Sequence, residues 1–288
     1  MLATFFLLSA AICAAWLPSL PLSGRRLPIW IVLFAAAVVC GFVTGVLSIS
    51  AVIAIGVLAA LTLMANSFPG KAGGALTALA AFCALVMSFH LKWIVFNNPA
   101  IFDGVRLSPD AAPFTQFASF NKATAGLMML TLCVPGLRPH GWTKSLALAP
   151  VAALLTAIVA IGAADAVGFT RFEPKLPDRS VLFLVVNLLF TVVAEEAFFR
   201  GVIQGRIMRL AEHLQRPALN AVAVVVSASL FGIAHAAGGL LYVVFASLGG
   251  LGYALVYQRT RSIEASIATH LGVNAVHFFL FAYPSLAR

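Results

Sequence analysis

Two adjacent carboxylates, Glu195 and Glu196, close a run of mostly apolar residues, and Arg200 stands four positions after Glu196 in E-E-A-F-F-R. A charge near the centre of a membrane-spanning helix costs roughly 2.5–3.5 kcal/mol on insertion scales, and ionisable residues there mark functional sites by default. The chain holds only 9 acidic residues, so two together need a reason. On a helix the two glutamates point about 100° apart and cannot share one role. Glu196 is placed to pair with Arg200 one turn on. Glu195 has no such partner nearby in sequence and is expected to face elsewhere, where desolvation disfavours its charge. That suits a carboxylate that takes a proton from water and later returns it. The plain alternative pairs both glutamates with basic residues elsewhere, as structure only.

Two more clusters follow, Phe231-x-x-x-His235 and His270-x-x-x-Asn274, each spaced by one helical turn and so lying on one face. A lone histidine in a membrane helix is ordinarily an interhelical hydrogen-bonder. One carboxylate, two imidazoles and a carboxamide supply more: a base, an orienting partner and neutral donors for an oxyanion. The chemistry indicated is attack of an activated water on a carbonyl carbon. Ser227 and Ser229 lie near His235 in sequence but are poorly placed for it on a helix, so no nucleophilic triad competes. Phe231 either shields His235, lines a groove or packs in the core. His277 is expected to be a supporting or lipid-proximal residue. His90 and His213 join no cluster, and His140 is expected to be exposed in a turn.

The elements that must position these residues are membrane helices. Of the 288 residues 62% are hydrophobic and 9% charged, where soluble domains have about 25% charged, and the mean hydropathy is +1.03. Apolar runs at 3–20, 28–48, 50–65, 73–95, 123–136, 145–168, 181–200, 218–237, 240–258 and 263–282 predict eight to ten spans in an all-α polytopic membrane bundle. The +9 net charge is scattered singly between these runs, which points to loop charges setting topology and not to nucleic acid. The bias of Lys and Arg places the loops at 201–216 and 259–262 in the cytoplasm. Arg25 and Arg26 follow the first apolar run instead of preceding it, so a retained span is expected there. Cys13, Cys40, Cys83 and Cys133 lie inside apolar runs at unrelated spacings and serve as packing residues. Asp165 is expected at a wetted helix end. The polar connection Asn97–Lys122 forms a lid or an interfacial helix, and the sequence leaves both open. Arg216–Pro217 predicts a turn between two helices, and a plain span over 218–237 would carry His235 towards the far face, so a break or a protruding start is required. Gly249, Gly250 and Gly252 predict close helix packing.

Taken in order, E-E-x-x-x-R, F-x-x-x-H and H-x-x-x-N resemble the pattern of the CAAX-protease and bacteriocin-processing family of intramembrane endopeptidases. The resemblance covers about 180–282, which divides the chain into scaffold helices over 1–179 and a catalytic core over 180–288. It implies that Glu195 and His235 activate the water, that His270 and Asn274 bind the oxyanion or hold the second half of the site, and that Glu196, Arg200 and Phe231 support them. The implied substrate is a membrane-anchored, prenylated-like or bacteriocin-like peptide cut near the cytosolic face of a bacterial inner membrane. No obligatory cofactor is expected; a divalent metal such as zinc on Glu195, His235, His270 and Asn274 stays open, since this set is unusual for zinc. Two other readings remain: a catalytically idle scaffold or immunity protein, and a transporter with a Glu/His proton relay.

Overall fold

The computed structural model describes residues 1–22, 25–68, 70–89, 92–134, 137 and 142–287, with Leu22, Arg25 and Trp142 in backbone only. His90, Arg138 and His140 lie outside the described residues. Each of the ten apolar runs forms a helix, so the chain is a helical membrane bundle. Among the described residues five helical stretches are long and apolar enough to span a bilayer: Ile49–Ser67, Gly70–Ser88, Thr143–Ala166, Ser180–His213 and Leu240–Thr260. Leu2–Ala14, Ile29–Val43 and Leu219–Ile233 are apolar but shorter. At 1.5 Å per residue, 13–15 residues reach roughly 20 Å of the ~30 Å hydrocarbon core. Hydropathy overestimates these lengths because turns stop the helices: Pro18 and Pro21 follow the first, and Gly45, at φ 72, follows the second.

The chain divides into two compact units. The first comprises Met1–Pro99, Phe117–Leu137 and Leu189–Phe198. It contains α1 (Leu2–Ala14), a strand pair β1 (Leu20–Leu22) and β2 (Arg25–Leu27), α2 (Ile29–Val43), α3 (Ile49–Ser67) and α4 (Gly70–Ser88). The strands run antiparallel with Leu20 opposite Leu27. Thr4 joins α1 to α2 by bonds to Cys40 Sγ (3.3 Å) and Thr44 Oγ1 (3.1 Å), the kind of polar link that holds helices together where lipid gives no hydrophobic drive. Ser48 caps α3 through Ala51 N. α5 (Phe120–Met128), prolonged by a π-helical turn over Met129–Cys133, is buried but for the partly exposed Lys122, Thr131 and Leu132.

The second unit comprises Ala100–Gln116, Arg138–Leu188 and Phe199–Arg288. The segment expected to be a lid or an interfacial helix carries a two-stranded sheet in place of that helix, β3 (Ala100–Val105) with β4 (Phe114–Phe117), whose Gly104 N–H donates to Thr115 Oγ1 (3.0 Å). Its extended form follows from the alternation in F-T-Q-F, where alternate residues are buried. α6 (Trp142–Ala147) and α7 (Ala149–Ala166) come next, and the long helix α8 (Ser180–His213) begins in this unit, passes through the first and returns. α9 (Leu219–Ile233), α10 (Leu240–Thr260) and α11 (Ile263–Leu280) complete it. α10 packs against α7, α9 and α11. Two of the three predicted glycine contacts are present: a Cβ on Gly250 would lie 3.2 Å from Ala228 O, and one on Gly252 2.1 Å from Thr156 Oγ1, whereas Gly249 meets only Tyr253 of its own helix. An aromatic cluster of Phe102, Phe114, Phe183 and Phe278 pins β3, β4, α8 and α11, with Phe183 stacked on Phe278 at 3.7 Å. The outer face of α7, with Val151, Leu154, Leu155, Ile158 and Val159, is exposed and meets lipid.

Candidate active site

α8 is not a uniform α-helix. Val193–Glu196 is α-helical, but π-helical turns flank it over Leu188–Val192 and Ala197–Gln204. Such turns bond i to i+5, widen the helix locally and recur at functional sites. The 3.6-residue spacing assumed from sequence therefore does not hold on the Arg200 side of the glutamates. Within the first unit, Glu195 is 12% exposed and accepts a 2.6 Å charge-assisted bond from Lys122 Nζ, which is 29% exposed. Glu195 thus has a basic partner, not from its own helix but from α5, 73 residues earlier, which is the pairing that the plain structural alternative expected. Glu196 is fully buried.

In the second unit, Arg200 is also fully buried. Its Nη2 donates to Gly250 O (2.7 Å), and one turn on, Gln204 Nε2 donates to Ala254 O (2.8 Å), so two side chains of α8 read successive turns of α10. The guanidinium also lies over the Phe231 and Tyr253 rings, at 4.7 and 5.3 Å from their centroids. Those two rings carry both histidines. Tyr253 stacks on His270 at 4.2 Å, and Phe231 meets His270 edge-on at 5.4 Å and His235 at 4.7 Å. Phe231 is buried, so it serves as the spacer between the histidines.

Of the two alternatives, a break is present, just before His235. α9 stops at Ile233, His235 takes φ −98, ψ 12, and Gly239 turns the chain at φ 88 into α10. His235 Nδ1 lies 2.8 Å from Phe231 O. A carbonyl only accepts, so Nδ1 carries the hydrogen and Nε2 the lone pair, a tautomer assigned from this contact. Tyr242 closes the other side of the ring at 5.5 Å. The turn at Arg216–Pro217 also forms, with Gln215 in the left-handed region at φ 52 and Arg216 N bonded back to Ala211 O (2.9 Å).

Within the second unit the structure thus gathers Arg200, Phe231, His235 and His270. Asn274 is engaged separately: its Nδ2 donates to Asn187 Oδ1 (2.9 Å) on the opening turns of α8. Ser227 bonds to Phe199 O (3.0 Å), consistent with its exclusion as a nucleophile. His277 faces Tyr283 at 4.8 Å, and Asp165 accepts from Phe172 N (3.1 Å) at the exposed end of α7, as expected. Lys122, Asn187, Gln204 and Tyr253 are the contacting residues that sequence reasoning missed. The signal for the first three was a polar residue in or beside an apolar run, the same signal that flagged the glutamates.

For a metal the fit is poor. Among the described residues no group of three or more His, Cys, Asp or Glu side chains is placed to hold an ion, and no step below is routed through one. Residues 177–276, about a third of the chain, match the family model described as Rce1-like, type II CAAX prenyl endopeptidase Rce1-like. No curated protein and no solved structure matches the chain.

Proposed function

From the match of residues 177–276 to the type II CAAX prenyl endopeptidase model we propose that this chain hydrolyses a peptide bond with a water activated by Glu195 and His235. A base takes a proton from the water as the oxygen attacks the peptide carbonyl carbon. The resulting oxyanion is met by neutral donors from His270 and Asn274. Collapse breaks the C–N bond, and the proton taken earlier passes to the leaving amine. The observation that carries the reading is the match itself, which contains all three motifs in order. The Nε2 lone pair of His235 supports it, since an imidazole held through Nδ1 is oriented to accept a proton. Glu196, Arg200 and Phe231 support the glutamate helix and the histidine rings. The substrate is a membrane-embedded or lipidated peptide, prenylated-like or bacteriocin-like, cut near the cytosolic face of a bacterial inner membrane. The amphipathic end of α8, carrying Arg206 and Arg209, suits that side.

The test uses proteoliposomes and a fluorogenic peptide with an S-farnesyl cysteine, fluorophore and quencher flanking the bond after it. Glu195→Gln is expected to lower the turnover by at least about 100-fold, the usual worth of a positioned acid–base group, with an unchanged circular dichroism spectrum. Wild-type turnover in that variant would overturn the reading. A second reading, an idle relative acting as scaffold or immunity factor, draws on the engagement of Glu195 by Lys122 and of Asn274 by Asn187. It expects no cleavage by the wild type and no phenotype from replacing Glu195, His235 or His270.

A further inference from the structure

Lys122 stands outside the family-matching segment, in a part of the chain expected to be mere scaffold, yet its Nζ lies 2.6 Å from Glu195 Oε1. Several features of the first unit converge on holding it there. Asn98 Oδ1 accepts from Phe120 N (2.8 Å) and so fixes the first turn of α5. Asn121, the residue before the lysine, donates to Met87 O (2.9 Å) and accepts from Asn98 Nδ2 (3.0 Å), tying that turn to α4. One turn beyond Lys122, Gly126 lets the α5 backbone touch α8. A Cβ there would lie 2.4 Å from Ala194 Cα and 2.5 Å from Ala194 Cβ, the residue just before Glu195. A side chain at 126 would push α5 away and draw the ammonium off the carboxylate. The fold therefore builds a seat for one lysine against one glutamate, from four separate stretches of sequence.

We infer that Lys122 is the positioning residue for Glu195 in the proposed proteolysis. It holds Oε1 of the carboxylate and so fixes how the side chain is presented to the reaction. An ammonium this close also matches the glutamate's charge, which is otherwise costly at this depth. The catalytic machinery then crosses the proposed division at 179/180, and the family segment works only with a cation lent by the first half. The inference rests on the reading of Glu195 as the water-activating carboxylate.

The experiment runs Lys122→Met, Lys122→Arg, Glu195→Gln and the Lys122→Met/Glu195→Gln pair through two readouts, turnover of the S-farnesyl-cysteine peptide in proteoliposomes and thermal unfolding in detergent. Lys122→Met is expected to lower kcat at least about tenfold with KM within about twofold, and Lys122→Arg to restore most of it. In unfolding, each single neutral variant is expected to be less stable than the double variant, because each strands one charge. Wild-type kcat in Lys122→Met beside an inactive Glu195→Gln would overturn the role of Lys122 and leave the proteolytic reading intact. A Glu195→Gln variant that still cleaves would overturn the reading itself and this inference with it. Additive unfolding effects would overturn the pairing whatever the activity.

Discussion

A guanidinium with no exposed surface has lost every water it held in the unfolded chain, and Arg200 replaces part of that shell with the Gly250 carbonyl and the faces of Phe231 and Tyr253. A lysine would keep the charge but lose the planar stack and the fork that reaches the carbonyl. Arg200→Lys is therefore expected to lower stability by about 2 kcal/mol or more, the worth of a hydrogen bond from a charged group together with a desolvated cation–π contact, read as a fall in the unfolding midpoint in detergent. At this scale the sequence was informative about which residues matter and poor about what they touch. Glu195, Glu196 and Arg200 stand out because charge is rare in apolar runs. Their partners do not, because a contact 73 or 87 residues away, as for Lys122–Glu195 and Asn187–Asn274, leaves no periodic trace.

The helices themselves were legible, since each apolar run became one, but their ends and irregularities were not. Hydropathy reports transfer of a segment to lipid and says nothing of where backbone hydrogen bonding stops. The turn after Ile233 and the π-helical stretches of α8 are set by tertiary packing. Gly232 shows how tight that packing is next to the histidines. A Cβ on it would lie 1.9 Å from Ser247 Oγ and 2.6 Å from Val243 O. The serine can rotate away; the backbone carbonyl of α10 cannot. Gly232→Ala is expected to cost about 1–3 kcal/mol, as overpacking does, and to reduce cleavage by shifting Phe231 and His235. Gly162 on α7, where an added Cβ would meet nothing within 4 Å, is the control: Gly162→Ala should unfold no earlier than wild type, since alanine favours helix.

The connection Val167–Arg179 contributes a pH-dependent element to the stability of the second unit. It is lashed to the C-terminal residues by Glu173 N to Leu280 O (2.7 Å), Lys175 N to Phe279 O (2.7 Å) and Ala282 N to Arg171 O (2.8 Å). Lys175 Nζ also donates to Phe281 O. Burial pushes the Lys175 ammonium below its ordinary 10.5, with Glu173 opposing. A lysine depressed in the folded state binds fewer protons there than in the unfolded chain. Stability therefore rises with pH between the folded value and 10.5, and below that window the cost of the charge is constant. Lys175→Met is expected to flatten that alkaline rise in the unfolding midpoint. An unchanged slope would assign it to another group.

The passage of α8 through both units has a consequence for synthesis. Residues 1–137 leave the ribosome and enter the membrane well before Leu189–Phe198 exists. Until then the notch at Gly126 stands open and the Lys122 ammonium lacks the carboxylate it is seated to meet. The early half of the protein must wait in lipid for a strip of the later half to arrive, so its assembly is finished from the far end of the message.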